Sequence, residues 1–208
     1  MLIGLVAAYR SEASVLLGLL DSVTKETVNG VKLWRGGIGP HRVVTALCGA
    51  GPERTAESLL KVKEVLDKSE LVIDFGVCGA LDTSVPLSEV VVMDSVAAVH
   101  HSSREPIRLE QLPSGGETVR DGGCLVTHNA PVFDPRVAEL LARRFGAGFV
   151  DMEAWEVASY CRERKIPVAV VKAVSDHADG SSVEGHAVRA RLAAEKCALA
   201  VHGLASGL

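Results

Sequence analysis

The sequence predicts an α/β fold with a mainly parallel core. Short continuous apolar runs recur along the 208 residues, helix-length segments with apolar residues at helical spacing separate them, and the connections are short. The sharpest unit is a strand-like run over 148–151, a helix over about 154–163 carrying Val157, Ala158 and Cys161 at helical spacing, and a second apolar run over 167–174. Read as a β-α-β unit, it delivers Asp151 and Glu153, and then Asp176 and Asp179, to one edge of a parallel sheet. That edge, outside the carboxyl ends of the strands, is where open α/β sheets bind ligands.

The remaining elements follow from the N-terminus. Residues 2–7 are continuously apolar, as expected of a strand buried on both faces. Ser11 and Glu12 introduce a helical stretch to about Leu20. Asn29-Gly30 between two strand-like runs predicts a hairpin, because both residues tolerate positive φ. A strand over 42–47 closes on Cys48-Gly49-Ala50-Gly51, and a helix is predicted over 53–67. The next buried strand, 71–75, ends in a second glycine-rich turn, Gly76-Val77-Cys78-Gly79-Ala80. Residues 89–99 are long, apolar and β-branched, predicting a strand that bends or crosses between sheet edges. Residues 100–122 contain Pro106 and Pro113 and no clear period, which predicts a lid or binding loop. A short strand over 124–127 precedes a helix that starts at Pro135 and runs to about Phe145. After the β-α-β unit come a polar loop, 179–184, and an amphipathic helix over 187–204. No repeat or linker interrupts the chain, so residues 1–208 are predicted to form one domain.

Composition narrows the function classes. The net charge of −4 has its signs interspersed, which excludes an evident nucleic-acid face. Five widely spaced cysteines without a CxxC pair predict a reducing compartment, the cytoplasm, and no disulfide framework. The opening apolar run reads as a strand, not an export signal, and no run approaches the ~20 apolar residues of a membrane span. Neither GxGxxG nor GxxxxGK[ST] occurs, which argues against a dinucleotide or P-loop site. There is no GxSxG elbow, and the histidines lack ligand spacing, so no cofactor and no metal are predicted.

Glu12 and Glu153 each stand where an acid favours a helix start, and Asp176 where it caps a turn. Singly, those structural roles suffice. Carboxylates delivered from three separated strands to one sheet edge favour a site.

In this order, Glu12 behind the opening strand, Cys48-Gly49-Ala50-Gly51, Asp74-Phe75-Gly76-Val77-Cys78-Gly79-Ala80-Leu81, Val150-Asp151-Met152-Glu153-Ala154 and Val171-Lys172-Ala173-Val174-Ser175-Asp176-His177-Ala178-Asp179 resemble the nucleoside phosphorylase/nucleosidase superfamily. Within it they look most like the methylthioadenosine/S-adenosylhomocysteine nucleosidase branch, over nearly the whole chain. The resemblance implies a twisted mixed sheet partly closed into a barrel and flanked by helices in three layers, a homodimer, and cleavage of a ribosidic C–N bond in a small purine nucleoside. By position, Asp176 is implied as the acid that protonates purine N7 and Glu12 as the group that orients and deprotonates water. Glu153 is implied as the ribose ligand and Met152 as sugar packing. Gly76, Val77, Val132, Phe133, Ser175 and Lys172 complete the implied substrate-binding set. Phosphorylase relatives supply arginines where this chain carries Glu12 and Asp74; two acids repel a phosphate dianion, which favours water, while Arg10 and Lys172 are the cations that keep phosphate as an alternative.

The chain departs from the nucleosidase pattern at Val77, at Lys172, where Arg is common and not interchangeable, and at 127–132, which leaves Phe133 as the candidate base-stacking ring. Residues 100–122 are expected to read the 5′ substituent. Methylthioadenosine and adenosylhomocysteine lead the expected substrates, with futalosine-type and hopanoid-linked nucleosides, a phosphorylase, and a non-enzymatic nucleoside-binding protein as alternatives. Trp155 is a candidate subunit contact or a core residue.

Overall fold

The fold is organised on one long strand, β5 (Leu71–Ala80), in a computed structural model that describes residues 1–101, 105–113, 119–180 and 185–208. On one edge β5 pairs in parallel with β1 (Leu2–Ala7), from Ile3↔Leu71 to Val6↔Asp74. On its other edge it pairs in parallel with β12 (Val168–Asp176), from Val168↔Val72 to Asp176↔Gly79. These apolar runs are buried on both faces, as parallel strands covered by helices must be.

Two arms extend from β5. Beyond β1 lie β4 (His41–Leu47), β3 (Val31–Ile38) and β2 (Asp21–Val28). The β2–β3 hairpin turns on Asn29 and Gly30, with φ of 48° and 85°. The other arm runs through β11 (Phe149–Asp151), β10 (Cys124–Thr127), β7 (Ser95–Ala98) and β8 (Ile107–Arg108). From β12 a branch continues to β6 (Val90–Val92) and β9 (Val119–Asp121). The sheet is therefore mixed, and its two branches are linked where β6 runs into β7 through Met93-Asp94, without a hydrogen-bonded ladder between those two strands. Asp94 holds this bend by accepting from the Gly123 amide at 2.9 Å.

Helices cover both faces. α1 (Arg10–Leu19) and α6 (His186–Ser206) pack on one, burying Leu16, Ala198 and Val201 against Leu5, Ile73 and Val171. α2 (Pro52–Lys61), the short α3 (Lys63–Leu66) and α5 (Ala154–Arg164) cover the other, and α4 (Pro135–Phe145) packs near β10 and β11. Trp155 is 3% exposed in the α5 core, so it is a core residue of this chain rather than a surface for a second subunit.

Four sequence expectations change. The helix over 53–67 breaks into α2 and α3 at Val62, whose ψ of 12° leaves the helical region. The run over 89–99 is two strands, the bend taken at Asp94. Residues 100–122 are not one loop, since β8 and β9 lie within them; residues 102–104 and 114–118 lie outside the described residues. The segment 76–80 is no turn but the second half of β5, continuous with 71–75.

The parallel β-α-β reading is also corrected. β11 runs antiparallel to β5, with Phe149↔Ala80 and Val150↔Gly79, whereas β12 runs parallel to it. β1 pairs only residues 71–74 on that edge, so the far half of β5 is left open, and β11 takes it from the opposite direction. The two acidic strand ends thus meet by approaching along β5 head-on.

Candidate active site

Three carboxylates are set by three different devices. Glu12 lies in the first turn of α1, where its Oε2 accepts from the amides of Ala8 (3.1 Å) and Tyr9 (3.0 Å), as in one half of a capping box. Its Oε1 accepts from the Val77 amide at 3.2 Å, across to β5. Burial pushes the Glu12 carboxyl up, while Lys172 and the three amides pull it down in part. Gly76 makes this possible: a Cβ there would stand 2.5 Å from Glu12 Oε1. The Gly76 backbone does not line the cavity, so its role as a substrate contact is corrected to that of a space for Glu12.

Glu153 occupies the N-cap position of α5 without capping it. The capping falls to Asp151, whose Oδ2 accepts from the Ala154 amide at 2.9 Å, and to Thr127, whose Oγ1 accepts from the Trp155 amide at 2.9 Å. Thr127 in turn donates to Asp151 Oδ1 at 2.7 Å. Glu153 is left free to face the cavity, with Oε1 accepting from the Gly51 amide at 2.9 Å. Burial, reinforced by the Asp151 charge, pushes its carboxyl up to about 8 against the pull of Lys172.

Asp176 ends β12 at a register shift between Val174 and Asp176, an irregularity of the kind that re-aims a side chain. Oδ1 accepts from the Ala178 amide at 2.9 Å and Oδ2 from Ser175 Oγ at 2.8 Å. Gly79 provides the room, because a Cβ there would lie 3.1 Å from Asp176 Oδ1 and 3.2 Å from Val150.

These groups surround one cavity of about 470 Å³. Of the residues singled out from sequence, Glu12, Glu153, Asp176 and Ser175 line it, together with Met152, Val77, Val132 and Phe133. Sequence reasoning missed the opposite wall, where His186, Ala190 and Arg191 of α6 face Tyr9 and Ser11. The only hint was the small-residue spacing at 187, 190 and 194, which reads equally as helix packing. No described residue of 100–122 lines this cavity, where residues of α1 and α6 form part of the wall.

Lys172 is corrected as a substrate contact. It is 2% exposed, and its Nζ lies 2.8 Å from Asp74 Oδ2 and 3.2 Å from Asp151 Oδ2, beneath the cavity. Burial alone would pull the ammonium down, but Asp74, Asp151 and Glu153 outweigh it and hold the group well above its ordinary value. Asp74 is pushed up to about 6 by burial, with Lys172 opposing. Arg10 points elsewhere, 6.0 Å over the Trp34 ring. Among the described residues, Arg191 is then the one Lys or Arg on the cavity wall, and no group of three or more His, Cys, Asp or Glu is placed to hold a metal ion. The arrangement suits chemistry that protonates a leaving group, binds hydroxyls and stabilises developing positive charge.

A mixed sheet flanked by helices, with acids converging on a cavity beside its longest strand, is the frame that the comparisons with known proteins assign to a family. Residues 2–113 and 108–205 match the phosphorylase superfamily, and the chain belongs to it. It is 25% identical over 203 residues to 5′-methylthioadenosine/S-adenosylhomocysteine nucleosidase of Staphylococcus aureus, covering 87% of this chain and 89% of the relative. In fold it is similar to S-adenosylhomocysteine nucleosidase of Streptococcus pyogenes in complex with 5-methylthiotubericidin, with a TM-score of 0.91 and 20% identity over 100% of this chain and 97% of that one. It is equally similar to a futalosine hydrolase mutant of Helicobacter pylori, with a TM-score of 0.91 and 18% identity over the whole of both chains. Among the described residues, no helix is long and apolar enough to cross a membrane.

Proposed function

We propose that the chain is an N-glycosidase that hydrolyses the N-ribosidic bond of a 5′-modified purine nucleoside of the methylthioadenosine/S-adenosylhomocysteine type. The observation that carries this reading is the convergence of Glu12, Glu153 and Asp176 on one cavity, each held by donors of its own. Asp176 gives a proton to purine N7, so the base departs neutral; a positioned acid contributes about 10²–10⁴-fold. Glu153 accepts from the ribose hydroxyls beside Met152. Glu12, its carboxyl pushed up by burial, orients water and takes its proton, and the ionised acids stabilise the positive sugar.

Water is favoured over phosphate because the cavity wall carries four acids, Glu12, Asp151, Glu153 and Asp176, and Lys172 is already engaged below it. The S. aureus relative supports the adenine nucleoside reading; the fold likeness to futalosine hydrolase keeps futalosine in the test panel. Five unpaired cysteines support work in the cytoplasm, and we take residues 1–208 as one domain acting in a homodimer, to be checked by light scattering. The function is tested by base release from a nucleoside panel with and without phosphate. Release without phosphate is expected, and strict phosphate dependence overturns the hydrolase reading.

A further inference from the structure

We propose that His186 is a positioning residue for Asp176, returning a proton from solvent to that acid after each base departure; this rests on the reading of Asp176 as the acid. His186 is the first residue of α6, and its side chain turns back onto the cavity wall. Its Nδ1 is buried, has no hydrogen-bond partner among the described residues, and lies 3.7 Å from Asp176 Oδ2. The side chain as a whole is 35% exposed, so the ring spans from the buried acid to solvent. Phe133 meets the ring edge-on, 5.8 Å between centroids and 89° between planes, which fixes its tilt over the acid. At 3.7 Å the pair is just beyond hydrogen-bond reach, and catalytic contacts of this kind tighten on substrate binding.

The need for such a group follows from the proton balance. Base departure moves a proton from Asp176 to the purine and leaves the carboxylate ionised. Attack of water on the sugar carbon leaves a proton on Glu12. The cycle closes only when Glu12 loses that proton to water and Asp176 regains one. A neutral imidazole carrying its proton on Nδ1 gives that proton to Asp176 Oδ2 as Nε2 takes one from hydronium, and the Nε2–H tautomer that results is reset by proton exchange with water as the ring turns. The other neighbours of Asp176 do not serve. Ser175 is 2% exposed, and its single hydroxyl proton faces two acceptors, Cys78 O at 3.1 Å and Asp176 Oδ2 at 2.8 Å. The Ala178 amide holds Oδ1 but is far too weak an acid to give its proton to a carboxylate. The imidazole, by contrast, has two ring nitrogens, so it takes a proton at one as it gives a proton at the other.

The experiment compares steady-state base release by His186→Phe, which keeps a ring against Phe133, and His186→Ala, which leaves room for a diffusible base. The expected result is a loss of at least about tenfold in kcat for both with KM little changed. Added imidazole is expected to restore His186→Ala saturably, leave the wild type unaffected, and fail to restore the Asp176→Asn/His186→Ala double variant. Wild-type kcat in His186→Phe, or no restoration of His186→Ala by imidazole, overturns the relay. A wild type that releases no base from any nucleoside overturns the nucleosidase reading instead, so the two failures are told apart.

Discussion

Two layers of acids lie one above the other in this molecule, and they are held in opposite ways. In the lower layer Asp74 and Asp151 share a cation, Lys172, and all three are almost fully buried, with Asp151 also forming part of the cavity wall. In the upper layer Glu12, Glu153 and Asp176 border the cavity and are held by amides and a hydroxyl, with no Lys or Arg ion-paired to them among the described residues. The lower layer is compensated, so it can be structural. The upper layer is oriented without being neutralised, which leaves its acids able to exchange protons and attract a cationic sugar. Burial pushes Glu12 and Glu153 up for that reason.

The comparison breaks most sharply at its upper edge. Asp176→Asn keeps the shape and removes the acid proton, so kcat for base release is expected to fall by about 10²–10⁴-fold with the circular dichroism spectrum unchanged. Activity at the wild-type level would show that the acid lies elsewhere. In the lower layer Lys172→Met leaves two buried carboxylates without their cation. A loss of roughly 3–5 kcal/mol in urea unfolding is expected, with part of it recovered in the Lys172→Met/Asp74→Asn double variant. A neutral outcome would mean that the cluster is not an ion pair in solution.

Glu153→Gln is expected to lower kcat/KM by about tenfold, the worth of a hydrogen bond between neutral groups, and to leave the protein folded at pH 7. The same variant tests the pH dependence. A carboxyl raised in the folded state, from its ordinary 4.5 to about 8 at Glu153, binds its proton more tightly folded than unfolded. Its stabilising contribution is therefore complete below about pH 4.5 and is lost as pH rises towards 8; Asp74, raised from 3.8 to about 6, acts in the same direction over its lower window. The melting temperature of the ligand-free protein should fall between pH 5 and 8.5, and less so in Glu153→Gln. A rising curve in that window would contradict the assigned shifts. The smallest effect is expected at Thr127→Val, which removes the hydroxyl shared by Asp151 and the α5 amide; about 1 kcal/mol should be lost, read by denaturant midpoint.

Much of the fold was legible because its signals are local. Asn29-Gly30 specifies a hairpin, Pro135 starts α4, and the apolar runs of β1, β5 and β12 mark buried strands. Glu12, Glu153 and Asp176 were legible as acids placed just beyond strands. Lys172 was misread because β12 is buried along its whole length, so no alternation tells which face a side chain takes. The orientation of β11 was misread because helix α5 connects β11 and β12 whichever way β11 runs. The α6 wall was missed because His186 is ten residues of chain beyond Asp176, and only packing turns it back.

The sequence by itself determined the α/β class, the order of strands and helices, and which acids stand at strand ends, because period, turn chemistry and apolar run length are written along the chain. Only the tertiary structure decided which acids face a cavity and which are neutralised beneath it. That choice depends on β5 being longer than its pairing with β1, so that β11 can return antiparallel beside Gly79 and bring Glu153 to meet Asp176.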